Sequence, residues 1–209
     1  MKITKYGHAC FTVEENGETL VIDPGGFSQD FIPNSTITAI VITHEHGDHF
    51  DPDTLAAIYA KNPHSTLIST KEIVATMPDH QSIAVKPADT LQLGAFELEF
   101  FGGTHAEIHK SMPAIANLGV LINHTLYYPG DALTLPNLPI KTLALPVAAP
   151  WVKISEVIDF LIAAKPNFAF PTHDAILSKE GQQIVDRVVG AIAEEHAITY
   201  KRLNMSMEV

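Results

Sequence analysis

A chain of 209 residues, 46% hydrophobic and 18% charged, can bury a substantial α/β core, and its composition excludes a polypeptide dominated by disorder. The one cysteine, Cys10, excludes an intramolecular disulfide framework, and a formal net charge of -11 with no Lys/Arg-rich run makes nucleic acid a disfavoured partner. The opening residues 1–8 lack the apolar stretch of a secretion signal, and no run approaches the ~20 apolar residues of a membrane span, which predicts a soluble, cytoplasmic protein with no membrane partner.

The first third reads as strands joined by tight turns. Strands are predicted near Lys2–Lys5, Cys10–Glu14 and Glu18–Asp23, with Asn16-Gly17 as the hairpin turn because both residues tolerate positive φ. Asp23-Pro24-Gly25-Gly26 ends the third strand in a loop. Ile37–Thr43 is apolar and β-branched without alternation, the pattern of a strand covered on both faces. A helix follows, with Asp51 as N-cap, Pro52 at its first position and an end before Pro63. Then come a strand at Thr66–Ser69, a short helix at Lys71–Met77, and strands at Ile83–Val85, Thr90–Leu93, Phe96–Phe101, Leu118–Ile122 and Thr125–Tyr128. The last third alternates strand and helix: Thr142–Pro146, helix Ile154–Ala164, Asn167–Pro171, helix Ser178–Glu195, and a final strand Ala197–Arg202. With no linker between these parts, one domain over residues 1–209 is expected, its sheets covered by helices on their outer faces.

Eleven histidines beside only 13 Lys and Arg are the compositional oddity, and their placement is informative. His44-Glu45-His46-Gly47-Asp48-His49 holds four potential ligands in six residues, directly after the apolar strand and before a helix. Neither a strand nor a helix face alone can gather that spacing, but a loop wrapped around one point can. Imidazoles with a carboxylate suit zinc or a similar divalent ion. The pattern is not His-Glu-x-x-His, since position 48 is Asp. Three further points fall at or after predicted strands: Gly103-Thr104-His105, Pro129-Gly130-Asp131 and Pro171-Thr172-His173. Each is weak alone, because a histidine after a strand is more often an ordinary polar residue and Gly-Asp is more often a turn.

Taken in order, His44-x-His46-x-Asp48-His49, His105, Asp131 and His173 resemble the metallo-β-lactamase-fold hydrolases, and Gly7-His8 with Val21-Ile22-Asp23-Pro24 is similar to their N-terminal motif. The likeness runs from about residue 3 to about residue 175. Within that superfamily the short form with Tyr6-Gly7-His8 near its start most resembles the ascorbate-6-phosphate-lactonase-like branch and related hydrolases of unassigned substrate. The resemblance implies a four-layer αβ/βα sandwich of two mixed β-sheets with helices on the outer faces. It implies that His44, His46 and His105 bind one metal ion, that Asp48, His49 and His173 bind a second, and that Asp131 bridges them. Zinc is the default for so many imidazoles, with manganese or iron also accommodated. The redox di-iron relatives usually carry Glu where His46 stands, which favours hydrolysis.

The expected chemistry is therefore attack by a metal-bridging hydroxide on a small-molecule ester, lactone or phosphoester, with Asp48 and Asp131 in catalytic roles. His109, four residues after His105, is a candidate proton donor that a helix would bring to the same face. By the resemblance His8 is a candidate either to contact substrate or to support a ligand from behind, Trp151 is a candidate substrate contact walling the pocket, and Asp23 is expected to support a ligand histidine from behind. Against each stands a plainer use: a hydrogen-bonded core histidine for His8, a solvated loop for His109, core packing for Trp151. His64, His80, His124 and His196 fall in predicted turns or at a helix end and are assigned no function. The rivals are a phosphodiesterase or ribonuclease of the same fold and a noncatalytic metal-binding protein. Oligomeric state is left open, a homo-oligomer included.

Overall fold

The computed structural model describes residues 1–28, 30–203 and 206–209. Six strands and two helices make up the first part: β1 (Lys2–Tyr6), β2 (Cys10–Glu15), β3 (Glu18–Ile22), β4 (Ile37–Val41), α1 (Pro52–Lys61), β5 (Thr66–Ser69), α2 (Lys71–Thr76) and β6 (Ser82–Ala84). The second part runs β7 (Thr90–Leu93), β8 (Phe96–Gly102), β9 (Leu118–Ile122), β10 (Leu126–Tyr128), β11 (Thr142–Pro146), α3 (Ile154–Ala164), β12 (Phe168–Thr172), α4 (Lys179–Glu195), β13 (Thr199–Tyr200) and β14 (Ser206–Glu208).

Local chemistry accounts for most of these bounds. Asp51, Thr70 and Ser178 each turn a side-chain oxygen onto a backbone N–H of the first turn of α1, α2 and α4, satisfying one donor that a helix start leaves without a partner. The Pro52 ring occupies the helix start, where no N–H is needed. Asn16 and Gly17 both have positive φ in the β2–β3 turn, as a tight hairpin demands.

The strands form two seven-stranded sheets, ordered β14-β1-β2-β3-β4-β5-β6 and β13-β12-β11-β10-β9-β8-β7. Both are mixed, and in the same way. The chain from β14 to β3 pairs antiparallel and that from β3 to β6 parallel. Likewise β7 to β10 pair antiparallel and β10 to β13 parallel. Three apolar layers hold the stack together. Phe11, Leu20, Val41, Phe96, Phe100, Val120 and Phe170 fill the space between the sheets, Leu55 and Ile58 of α1 pack on Ile40 and Leu67 of the first sheet, and Val157, Leu161 and Val189 of α3 and α4 pack on Leu143 and Ala169 of the second. This is the expected αβ/βα sandwich. Fully burying each such side chain is worth roughly 1.5–3 kcal/mol, which makes the central layer the main support of the fold.

Two departures occur near the carboxyl end. The predicted strand Ala197–Arg202 shrinks to β13, because Ala197 takes a positive φ to turn the chain out of α4. Strand β14 was not foreseen in Ser-Met-Glu, whose β form depends on the open edge of β1 with which it pairs. One further consequence positions the site. Because β1, β3, β4 and β5 run one way in their sheet, and β8, β10, β11 and β12 run one way in theirs, the loops after these strands open on common edges.

Candidate metal centre

Two groups of side chains converge there. In one, His44, His46, His105 and Asp131 each present a ligand atom within 4.8 Å of the others; in the second, His8, Asp48, His49 and His173 do the same. The loop after β4 thus meets the loops after β8, β10 and β12, and all seven residues of the expected ligand set share one neighbourhood. Asp131 stands between the groups. Its carboxylate oxygens lie 3.2 Å from His49 Nε2, 3.0 Å from His173 Nε2, 3.4 Å from His105 Nε2 and 3.9 Å from His44 Nε2.

The outward nitrogens of the rings decide what the inward ones can do. His105 Nδ1 donates to the Ala106 carbonyl at 2.6 Å, His173 Nδ1 to the Ala148 carbonyl at 2.6 Å, and His49 Nδ1 to Asp23 Oδ2 at 2.7 Å. An acceptor on Nδ1 keeps a proton on that nitrogen, so Nε2 is the one that can give a lone pair to a metal ion, the arrangement metal-binding histidines use. In His44 it is likewise Nδ1 that has an outside contact, Thr43 Oγ1 at 3.1 Å. The Nε2 atoms of His44, His49, His105 and His173 and the Oδ1 of Asp131 are all buried with no hydrogen-bond partner. Five partnerless polar atoms in one place would be costly in a finished core, and a cation among them removes that cost. The donor set therefore fits divalent metal ions.

His8 departs from this pattern and from expectation. It is wholly buried, its Nδ1 accepts the N–H of Ala175 at 3.1 Å, and its Nε2 stands 3.1 Å from Asp48 Oδ2. A backbone donor on Nδ1 forces the proton onto Nε2, so His8 donates to Asp48 and has no lone pair to give a metal ion. The anticipated substrate contact is corrected by the same facts: the ring is sealed from solvent and both nitrogens are engaged.

Asp23 accepts from the backbone N and the hydroxyl of Thr43 and from His49, and is itself fully buried. It aims His49 from behind. Trp151 donates its indole N–H to Asp131 Oδ2 at 2.8 Å, and its ring lies edge-on to those of His105 and His173. That indole is committed to orienting a carboxylate, a use its lone occurrence in the sequence did not reveal. His109 is exposed in a loop; no helix spans 105–109, so the expected shared helical face is corrected. Its Nδ1 accepts the N–H of Ser111 at 3.2 Å, which leaves Nε2 as its N–H.

Several supports escaped sequence reasoning. Asn117 is buried, receives the Asp131 N–H on its side-chain oxygen at 2.9 Å and donates to the Pro129 carbonyl at 2.9 Å, tying down the loop that carries Asp131. No motif marks it. Gly25 had a signal in Asp-Pro-Gly-Gly: a Cβ there would lie 2.0 Å from the Asp48 carbonyl atoms and 2.3 Å from the His49 nitrogen, so only glycine lets the two loops touch. Asp174, buried next to His173, is paired with Lys5 at 2.9 Å and with Arg202.

Charge separates the two groups in the metal-free protein. Burial, then the neighbouring His49, hold His44 well below the ordinary imidazole range, and burial with His105 lowers His46. Burial works the same way on His49 and His173, but the carboxylates outweigh it: Asp131 and Asp23 raise His49 well above its usual range, and Asp131 and Asp48 raise His173 to about 9. Burial opposes ionisation of Asp48 and Asp131 too, yet the surrounding imidazoles keep both carboxylates well below their normal range.

Fold and site together define a sandwich hydrolase scaffold with a two-centre set of metal donors, and residues 2–173 match the family model described as "Beta-lactamase superfamily domain". The chain belongs to that family. It is 37% identical over 189 residues to Protein Rv0786c of Mycobacterium tuberculosis, covering 88% of this chain and 89% of that one. It is 29% identical over 194 residues to a UPF0173 metal-dependent hydrolase of Carboxydothermus hydrogenoformans, covering 83% and 84%. Among solved structures it resembles Igni18, a metallo hydrolase of Ignicoccus hospitalis, with a TM-score of 0.76 at 19% identity over 100% of this chain and 98% of the other. No helix among the described residues is long and apolar enough to cross a membrane.

Proposed function

We propose that this chain is a metal-dependent hydrolase of the β-lactamase superfamily that cleaves a small-molecule ester, lactone or phosphoester at a dinuclear centre. The observation that carries the proposal is the set of partnerless buried atoms, four imidazole Nε2 and one Asp131 oxygen, facing one another. The metal-dependent hydrolase among its relatives supports the same reading. His44, His46 and His105 would hold one ion, Asp48, His49 and His173 a second, with Asp131 between them; zinc suits this set best, and manganese or iron also fit. When bound, such a pair supplies Lewis acidity and lowers the pKa of a water towards neutrality.

The protein's own groups do the rest. Asp48 is held by His8 through Oδ2 and is the least enclosed of the carboxylates in the centre, so it is placed to receive a proton from the attacking water and to orient it. Trp151 and Asn117 hold the Asp131 carboxylate and its loop in place. His109, with its proton on Nε2, is the candidate donor to the leaving oxygen. A small molecule rather than RNA is the substrate, since a chain of net charge -11 repels a polyanion.

The test begins with metal analysis of the purified protein and a screen of lactones, esters and phosphodiesters with the metal restored. Replacing Asp48 by Asn should lower kcat by ~10²–10⁴ for the best substrate while circular dichroism stays native. Full turnover by a well-folded Asp48→Asn protein would overturn the proposed role.

A further inference from the structure

A cavity of about 210 Å³ opens beside His46 and His105 and is walled by residues 104–109 and 112–115. Its wall is mostly hydrocarbon, with Ile108, Met112, Pro113 and Ile115 on the lining, and it contains Glu107 but no Lys or Arg. Met112 is 51% exposed at this cavity, a large apolar side chain left in water. Away from the His46 and His105 side, a phosphate or sulfate group would meet the Glu107 carboxylate with no Lys or Arg side chain on the lining to offset it. An alkyl group would instead cover Met112 and Ile108 and gain their burial. The space is below the ~300–1,000 Å³ of pockets for drug-sized ligands, and at ~30 Å³ for a water-sized unit it holds roughly seven of them.

We propose that this cavity seats a short, uncharged hydrocarbon group attached to the reacting carbonyl, so that the substrate is a neutral short-chain acyl ester or lactone rather than a nucleotide or sugar phosphate. The proposal rests on the hydrolase reading above and names its substrate class. His46 and His105 belong both to the metal donors and to the cavity, so a chain in the cavity brings its carbonyl to the ligand side. In the reaction the acyl C–O bond breaks and the water oxygen bonds to the acyl carbon. One water hydrogen ends on the leaving oxygen and the other on the carboxylic acid formed.

Binding and turnover test different halves of this proposal. Titrating metal-free protein with aliphatic primary amides from acetamide to octanamide, followed by NMR, should show affinity rising about fourfold per methylene, the equivalent of ~0.8 kcal/mol per buried CH₂, and levelling near hexanamide. Ala114→Trp, which fills the cavity, should flatten that rise. Met112→Lys changes an exposed side chain, so folding is not at issue, and should weaken hexanamide about tenfold. With metal restored, kcat/KM for p-nitrophenyl esters should peak at a similar acyl length and shift to shorter chains in Ala114→Trp. Affinity independent of chain length, or indifferent to both variants, overturns the cavity assignment even if esters are hydrolysed. Chain-length-dependent binding without turnover of any ester or lactone leaves an apolar ligand site but overturns the acyl substrate, and with it that part of the hydrolase reading.

Discussion

The two halves of the molecule place chemistry at matching points of matching sheets and use it differently. Strand β3 is followed by Asp23 and its counterpart β10 by Asp131; β1 is followed by His8 and its counterpart β8 by His105. Asp23 is spent on three hydrogen bonds behind His49, whereas Asp131 turns an oxygen with no partner into the centre. His8 receives a backbone N–H on Nδ1 and so becomes a donor, whereas His105 meets a backbone carbonyl there and keeps a free lone pair on Nε2. The lesson is that residue type at the end of a strand does not decide between ligand and support. The polarity of the backbone group behind the side chain does.

That contrast can be broken most severely at the first pair. Under the proposed dinuclear centre, Asp131→Ala should strip both ions, since its carboxylate approaches imidazoles of both groups, and elemental analysis should fall from about two ions per chain to fewer than one. His105→Ala should empty its own group, while His8→Ala should retain metal and lose turnover through a loosened Asp48. Metal loss in His8→Ala equal to that in His105→Ala would refute the tautomer argument. Next in size, Asp23→Asn keeps the shape but removes the charge behind His49, and should weaken metal binding by ~10–100-fold, measured by competition with a chromophoric chelator.

The smallest effect is on pH dependence, and it separates the two groups. In the metal-free chain His49 and His173 hold protons at neutral pH, His173 up to about 9, while His44 and His46 do not. Metal entering the second group must therefore expel protons, and its affinity should rise with pH up to about 9; calorimetry in buffers of different ionisation enthalpy should report that release. The stability of the metal-free protein should move the other way. A raised imidazole pKa stabilises the fold fully below the unfolded value near 6.5, and that contribution is lost as pH rises through the folded value. Equal proton release from both groups would erase the distinction between them.

Much of this was legible in the sequence. The strands at Thr66–Ser69, Leu118–Ile122 and Thr142–Pro146 and the helix Ile154–Ala164 have the bounds read from periodicity and caps, because those signals are local and repeat along the chain. The segment 44–49 announced itself through density, since four donors in six residues have no ordinary structural use. Sequence order likewise pointed to His105, Asp131 and His173, but only through a resemblance. Their convergence is a fact of tertiary structure, in which two sheets open their loops on one edge.

What local pattern could not encode was every role that depends on a distant partner. Ala175 turns His8 into a donor from 167 positions away, and Asn117 ties down a loop 12 to 14 residues on without any motif. Gly25 is required by the backbone of Asp48 and His49, and β14 exists because β1 offers it an edge. Amino-acid order determined most of the strands, the caps and the inventory of donors, since these depend on neighbours in the chain. Which nitrogen faces the centre, which carboxylate supports and which carries the unpartnered oxygen were decided by the packing of two sheets, because each depends on the atom that arrives from another loop.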